Sequence, residues 1–120
     1  MWEIEATDEV ADWYERLTTE QQIALEARLA LLERYGPQLR RPTIGEIKGS
    51  EFDPQMKELI CDEGGSLRVL FIFDPRRHAV LLVGGDKTGR WNKWYKTAIP
   101  EADRRYRDYL TELRQEGVIP

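Results

Sequence analysis

The sequence predicts an α+β domain: a small antiparallel sheet with an N-terminal helical hairpin on one face and a helix at the C-terminus. Three observations predict it. The apolar runs Met56–Cys61, Leu67–Phe73 and His78–Val83 are separated only by the turn sequences Glu63-Gly64-Gly65-Ser66 and Asp74-Pro75-Arg76-Arg77. Connections that short make consecutive strands antiparallel neighbours, a meander. The residues before the meander and those after Pro100 instead repeat their apolar positions at helical spacing. At 120 residues the chain fits one domain spanning 1–120, large enough to bury roughly two-thirds of its unfolded surface without staples.

Met1 to Ala6 sets Trp2, Ile4 and Ala6 against Glu3, Glu5 and Thr7, the period of two of a half-buried strand. Val10, Trp13, Tyr14 and Leu17 form one stripe of a short amphipathic helix opened by Thr7 or Asp8. Thr18-Thr19-Glu20-Gln21 begins a second helix with a capping-box pattern. Ala24, Leu25, Ala27, Leu29, Leu31 and Leu32 continue it, and Gly36-Pro37 stops it. Residues 36 to 55 have no period and predict a loop, with a short strand at Gly45 to Gly49. After the meander, Pro100 suits a first helical position. Ala102, Tyr106, Tyr109, Leu110 and Leu113 mark the terminal helix, and Gly117 ends it. On this plan the hairpin covers one sheet face and the other face, or its edge, is left for basic residues. There is no internal repeat.

The net charge of −4 hides an asymmetry. Residues 1 to 33 hold nine acids against Arg16 and Arg28, whereas residues 34 to 96 hold twelve bases against eight acids. Such a chain can turn one face to phosphate and keep the other solvated. Cys61 is the only cysteine, so no internal disulfide forms and a reducing, cytoplasmic setting is the simpler expectation. No apolar run nears the roughly 20 residues that cross a bilayer, and the N-terminus does not read as a signal peptide.

Leu67 to Lys96 carries the chemistry. An apolar strand interrupted by Arg68 is followed by a Gly-rich, basic, tryptophan-bearing stretch, and Arg, Lys and Trp are the residue types that hold phosphates and stack on bases. An arginine inside an apolar strand is costly unless it points to an open face or snorkels at an edge. Lys87 follows Gly84-Gly85, where a side chain can approach a phosphate closely. Trp91, Trp94 and Tyr95 read either as base-stacking or as core. His78, next to a hairpin turn, reads as a surface residue. One histidine, one cysteine and no clustered carboxylates make a metal site improbable, and no cofactor motif is present.

The ordered set Glu58-Leu59, Arg68 to Phe71, Leu81 to Thr88 and Pro100-Glu101-Ala102 resembles the RelE/HigB superfamily of toxins from bacterial type II toxin–antitoxin pairs, in particular its phage-derived, HigB-like branch. The resemblance covers nearly the whole chain in order. It implies a microbial-RNase-like fold, cleavage of ribosome-bound mRNA without metal or cofactor, and a cognate antitoxin with a helix-turn-helix domain. It also implies an alternative on the same scaffold: a non-enzymatic inhibitor of the ParE type, or a phage host-takeover protein, that binds gyrase or another host factor. Many relatives have a second lysine where this chain has Asp86, and an arginine where it has Ile60. Metal-free RNA cleavage needs a base for the 2′-OH, cations for the developing phosphorane charge, and an acid for the departing 5′ oxygen. Under the resemblance Arg68 clamps the scissile phosphate, Lys87 stabilises charge or carries a proton, and Lys57 is the base if its strand faces the groove. Arg90, Lys93, Trp91, Arg41 and Lys48 contact the rest of the RNA.

Overall fold

A computed structural model describes residues 1–120. In chain order it contains β1 (Glu3–Ala6), α1 (Asp8–Glu15), α2 (Thr19–Tyr35), a 3₁₀ turn (Gly36–Gln38), β2 (Ile44–Glu46), β3 (Met56–Cys61), β4 (Leu67–Phe73), β5 (His78–Asp86) and α3 (Asn92–Gln115). The sheet order is β1-β5-β4-β3-β2. The β3–β4–β5 meander is antiparallel, as its short turns require. β2 adds antiparallel to the free side of β3, and β1 lies parallel to β5, with Glu3 opposite His78 and Ala6 opposite Leu81.

Local signals start α1 and α2 where the sequence places them. The Thr7 hydroxyl accepts the Val10 N–H, and Thr18 and Gln21 exchange side-chain and backbone bonds in a capping box. Gly36 ends α2 at φ 52°, and the Trp2 indole lies 2.3 Å from where its Cβ would stand, so both backbone and space demand glycine.

Strand alternation divides the core into two layers. Leu59, Cys61, Val69, Phe71, Ala79 and Leu81 meet α1 and α2 through Val10, Leu25 and Leu32. Met56, Leu70, Ile72, Val80 and Leu82 meet α3 through Trp94, Ala98, Ala102 and Tyr106. The second face is therefore not left open for basic residues; α3 covers it. The reason is the length of α3. It begins at Asn92, two turns before Pro100, which lies inside the helix on its exposed side. An interior proline costs an isolated helix about 3 kcal/mol or more. Burial of Trp94, Ala98 and Ile99 on the near side and Ala102 and Tyr106 on the far side offsets it.

The register shifts between Leu70, opposite Val83, and Phe71, opposite Leu81, so Leu82 is an extra residue in β5. Its carbonyl accepts Arg105 Nη1 at 2.6 Å. Past this bulge Gly84 and Gly85 lie within the strand, not in a loop. Trp13 packs over Gly84 on one face and Trp94 over Gly85 on the other, and a Cβ on either glycine would stand 2.3 Å or 2.5 Å from an indole atom. The loop after β2 is tied to α3 by Asp103, which accepts the Ser50 hydroxyl at 2.5 Å and the Glu51 N–H at 3.0 Å. No helix is long and apolar enough to cross a membrane.

Candidate functional site

Arg68 stands at the first turn-side end of β4, opposite Ile60 on β3 and Gly85 on β5. Its phase matches Leu70 and Ile72, so it points to the α3 face. Glu58 on β3 shares that face, one diagonal step away. Both side chains are nearly out of water, at 9% and 8% exposed, with Arg68 Nε 3.5 Å from Glu58 Oε1. Arg68 Nη1 donates to Asp62 Oδ1 and to the Leu67 carbonyl, at 2.7 and 2.8 Å. Its Nε is buried without a hydrogen-bond partner. Burial works against the guanidinium charge, but the hydrogen bond and field of Asp62, with Tyr95 and Glu58 behind it, win and hold the proton more tightly than usual.

The first turn of α3 supplies Tyr95, whose hydroxyl donates to Glu58 Oε1 at 2.6 Å and accepts from Lys87 Nζ at 3.3 Å. Burial, then the Glu58 hydrogen bond and charge, push the Tyr95 phenol up to about 12. It is therefore a proton donor at neutral pH. Lys87 also lies over the rings of Tyr95 and Trp91, 5.2 and 5.8 Å from their centroids. The result is a continuous chain of groups: Lys87, Tyr95, Glu58, Arg68, Asp62.

Lys87 is placed by its neighbours. Asp86 accepts the Ser66 N–H, the Thr88 N–H and the Thr88 hydroxyl at 3.1, 3.0 and 2.6 Å, and the Lys87 N–H donates to the Ser66 carbonyl. Burial raises the Asp86 carboxyl, but these hydrogen bonds outweigh it and hold the group below its ordinary value. Two small residues make room. Gly85 lets Trp94 lie on the sheet beside Arg68, and a Cβ on Gly45, which pairs with Glu58, would stand 2.9 Å from Glu58 Oε2.

Of the residues singled out by sequence, Arg68 and Lys87 come together with Tyr95. Trp91 is 56% exposed at the rim, while Trp94 is core at 6%. Arg90 and Lys93 are exposed beside Trp91. Lys57 does not join them. It pairs with Phe71, in phase with the opposite core layer, so its ammonium emerges on the α2 side, and it cannot serve as a base beside Arg68. There it lines a separate groove with Arg41 and Lys48. His78 lies at the far end of β5, clasped by Glu3 and Glu5 at 3.2 and 3.0 Å, because β1 pairs there. Sequence reasoning missed Glu58 as a site residue. Its signal was a carboxylate in phase with Met56 and Ile60 on an otherwise apolar strand face.

A family model for phage-derived, Gp49-like proteins matches residues 12–107. The chain is 42% identical over 109 residues to a Mycobacterium tuberculosis protein provisionally named toxin HigB3, covering 91% of this chain and 94% of that one. A second M. tuberculosis protein, provisionally named toxin HigB2, is 35% identical over 108 residues, which cover 88% of this chain and 53% of that one. The fold is similar to a solved structure of a mutant Escherichia coli toxin RelE in the free state, with a TM-score of 0.61 at 10% identity over 82% of this chain and 95% of that chain.

Proposed function

The chain belongs to the phage-derived, Gp49-like family that includes HigB-type toxins, and on that premise we propose that it is the toxin of a type II toxin–antitoxin pair: a metal-independent endoribonuclease that cuts mRNA on the ribosome and is silenced by a cognate antitoxin carrying a helix-turn-helix domain. The observation that carries the catalytic part is the buried Arg68–Glu58–Tyr95 group with Lys87 at its mouth. Burying two charges in an interface layer costs several kcal/mol per ion before they attract each other, and groups perturbed by burial and a charged neighbour, as Tyr95 is here, concentrate at functional sites.

In this reading the Glu58 carboxylate takes the proton of the 2′-OH, which attacks the adjacent phosphorus. The new 2′-O–P bond forms as the P–O5′ bond breaks. Arg68 and Lys87 offset the charge growing on the phosphoryl oxygens. Tyr95, protonated at neutral pH, gives its proton to the departing 5′ oxygen and is recharged through Lys87. A 2′-OH in this role restricts the substrate to RNA. Trp91 at the rim stacks on a flanking base.

The test is induced expression in bacteria with RNA ends mapped over the following minutes, for wild type, Arg68→Lys and Lys87→Ala. Arg68→Lys keeps a countercharge for Glu58 while removing the two-pronged fork. Cuts inside translated mRNA that disappear in both variants are the expected result. Growth arrest with intact RNA would overturn the ribonuclease reading in favour of a binding inhibitor of gyrase or another host factor.

A further inference from the structure

On the opposite side of β3 from Glu58, a groove of about 740 Å³ runs between the 3₁₀ turn and β2. Arg40, Arg41, Lys48 and Lys57 line it against one acid, Glu46. Its floor is apolar, from Leu39, Ile44 and Phe73. The groove differs in its charge from the middle of α3. Three arginines of α3 are neutralised by acids on or near the helix: Arg104 by Glu101 and Asp108, Arg105 by Glu9 and Glu101, Arg107 by Glu51. In the groove the only ion pair is Lys57 with Glu46, at 3.8 Å, and Glu46 is 84% exposed. Arg41 and Lys48 are exposed and pair with no carboxylate. A chain of net charge −4 thus keeps a pocket of uncompensated positive charge over a low-dielectric floor, an arrangement that concentrates anions.

The groove and the cluster around Arg68 lie on opposite faces of the sheet, with the short edge strand β2 between them. Gly45 is part of the groove wall, and Gly45 is also the residue against which the Glu58 carboxylate packs. β2 is the sheet edge and only three residues long, so a strand of polymer leaving Glu58 crosses a single short strand to reach Arg41 and Lys48. We propose that this groove is a second RNA site, holding the phosphodiester backbone of nucleotides flanking the cleaved one, through charge and without reading sequence. The inference rests on the ribonuclease reading, which supplies the polyanion. It also gives Lys57 a role: a backbone contact on the far face, not a base.

The experiment measures binding of a fluorescein-labelled 2′-O-methyl oligoribonucleotide, which cannot be cleaved, by anisotropy across a series of salt concentrations. The full chain is compared with Arg41→Ala/Lys48→Ala and with Arg68→Lys. Each phosphate contact to a single strand contributes about 0.7 to the slope of log K against log salt. The double variant is expected to bind more weakly to every sequence and to lower the slope by about 1.4. Arg68→Lys is expected to lose cleavage of the 2′-hydroxyl RNA in ribosome-containing extract while keeping most of the slope. A wild-type slope in Arg41→Ala/Lys48→Ala, with far-UV circular dichroism unchanged, overturns the groove assignment. If the wild-type chain cleaves no RNA yet the slope falls as expected, the ribonuclease reading fails alone and the groove assignment stands.

Discussion

Removing the Arg68 side chain tests whether the buried pair is coupled as the geometry requires. Arg68→Met keeps volume and loses charge, stranding Glu58 at the α3 face with only the Tyr95 hydroxyl as partner. Breaking a buried pair from one side costs about 3–5 kcal/mol, against a total stability of about 6–18 kcal/mol for a chain of this size. At about 4 °C per kcal/mol the melting temperature falls by about 12–20 °C. Replacing both partners, Arg68→Met/Glu58→Met, removes the stranded charge and leaves only the Tyr95 hydroxyl short of an acceptor, a cost of about 1–2 kcal/mol. Urea denaturation followed at 222 nm supplies the cycle, with an unchanged m-value as the check that one transition is being compared. The double variant is expected to be more stable than Arg68→Met by about 2 kcal/mol. If Arg68→Met costs under about 1 kcal/mol, or if the two single costs simply add, the pair is not coupled and the argument for a strained catalytic group falls. The same numbers warn that an alanine at Arg68 silences the protein partly by unfolding it.

Gly85→Ala drives a Cβ into Trp94, with an expected cost of about 1–3 kcal/mol from overpacking and a shifted tryptophan emission; unchanged emission and stability would refute the contact. Asp62, 63% exposed, holds Arg68 Nη1, which the proposed mechanism gives to a phosphate oxygen. Asp62→Asn is expected to raise the RNA cleavage rate at low substrate by up to about fivefold, the equivalent of an exposed ion pair of about 1 kcal/mol, and a fall in rate would make Asp62 part of the machinery instead. The Tyr95 phenol, pushed up to about 12, is expected to be missing from ultraviolet titration of tyrosinate near pH 10; comparing wild type with Tyr95→Phe checks this, since the two curves coincide up to about pH 11 only if Tyr95 is still protonated. The buried Asp74 carboxyl is raised by burial but lowered more by the Tyr109 hydroxyl and the His78 and Arg76 N–H groups, ending below its ordinary value. Its contribution is present above about pH 4 and lost as pH falls toward the folded value, so Asp74→Asn is expected to flatten the acid limb of a stability–pH curve, and an unaltered limb would remove Asp74 as its source.

Local chemistry was legible in the sequence, and long-range placement was not. The helix starts at Thr7 and Thr18, the stop at Gly36 and the three strands of the meander follow from caps, turns and apolar runs, which act within a few residues. β1 reads as a strand from its alternation, but no alternation says that its partner is β5. Pro100 misleads because burial on both sides of it overrides its local cost, and that same extension turns the expected basic loop into the first turns of α3. Gly84-Gly85 reads as a phosphate-approach motif until the two indoles are seen on them. Arg68 stands out in the sequence because charge in an apolar strand is conspicuous. The condition on Lys57, that its strand turn it toward the groove, is not met, because one residue of phase moves a side chain to the other face, and the same rule turns its neighbour Glu58 toward Arg68.

The parallel seam between β1 and β5 joins residues made far apart in time. Thr7 and Leu82 touch across 75 positions of chain, which a bacterial ribosome adding about 5–20 residues per second takes about 4–15 s to traverse. For that interval the first strand has no partner, and Lys87 and Tyr95 do not yet exist beside Glu58. The sheet and the cluster around Arg68 therefore become complete only in the last quarter of synthesis.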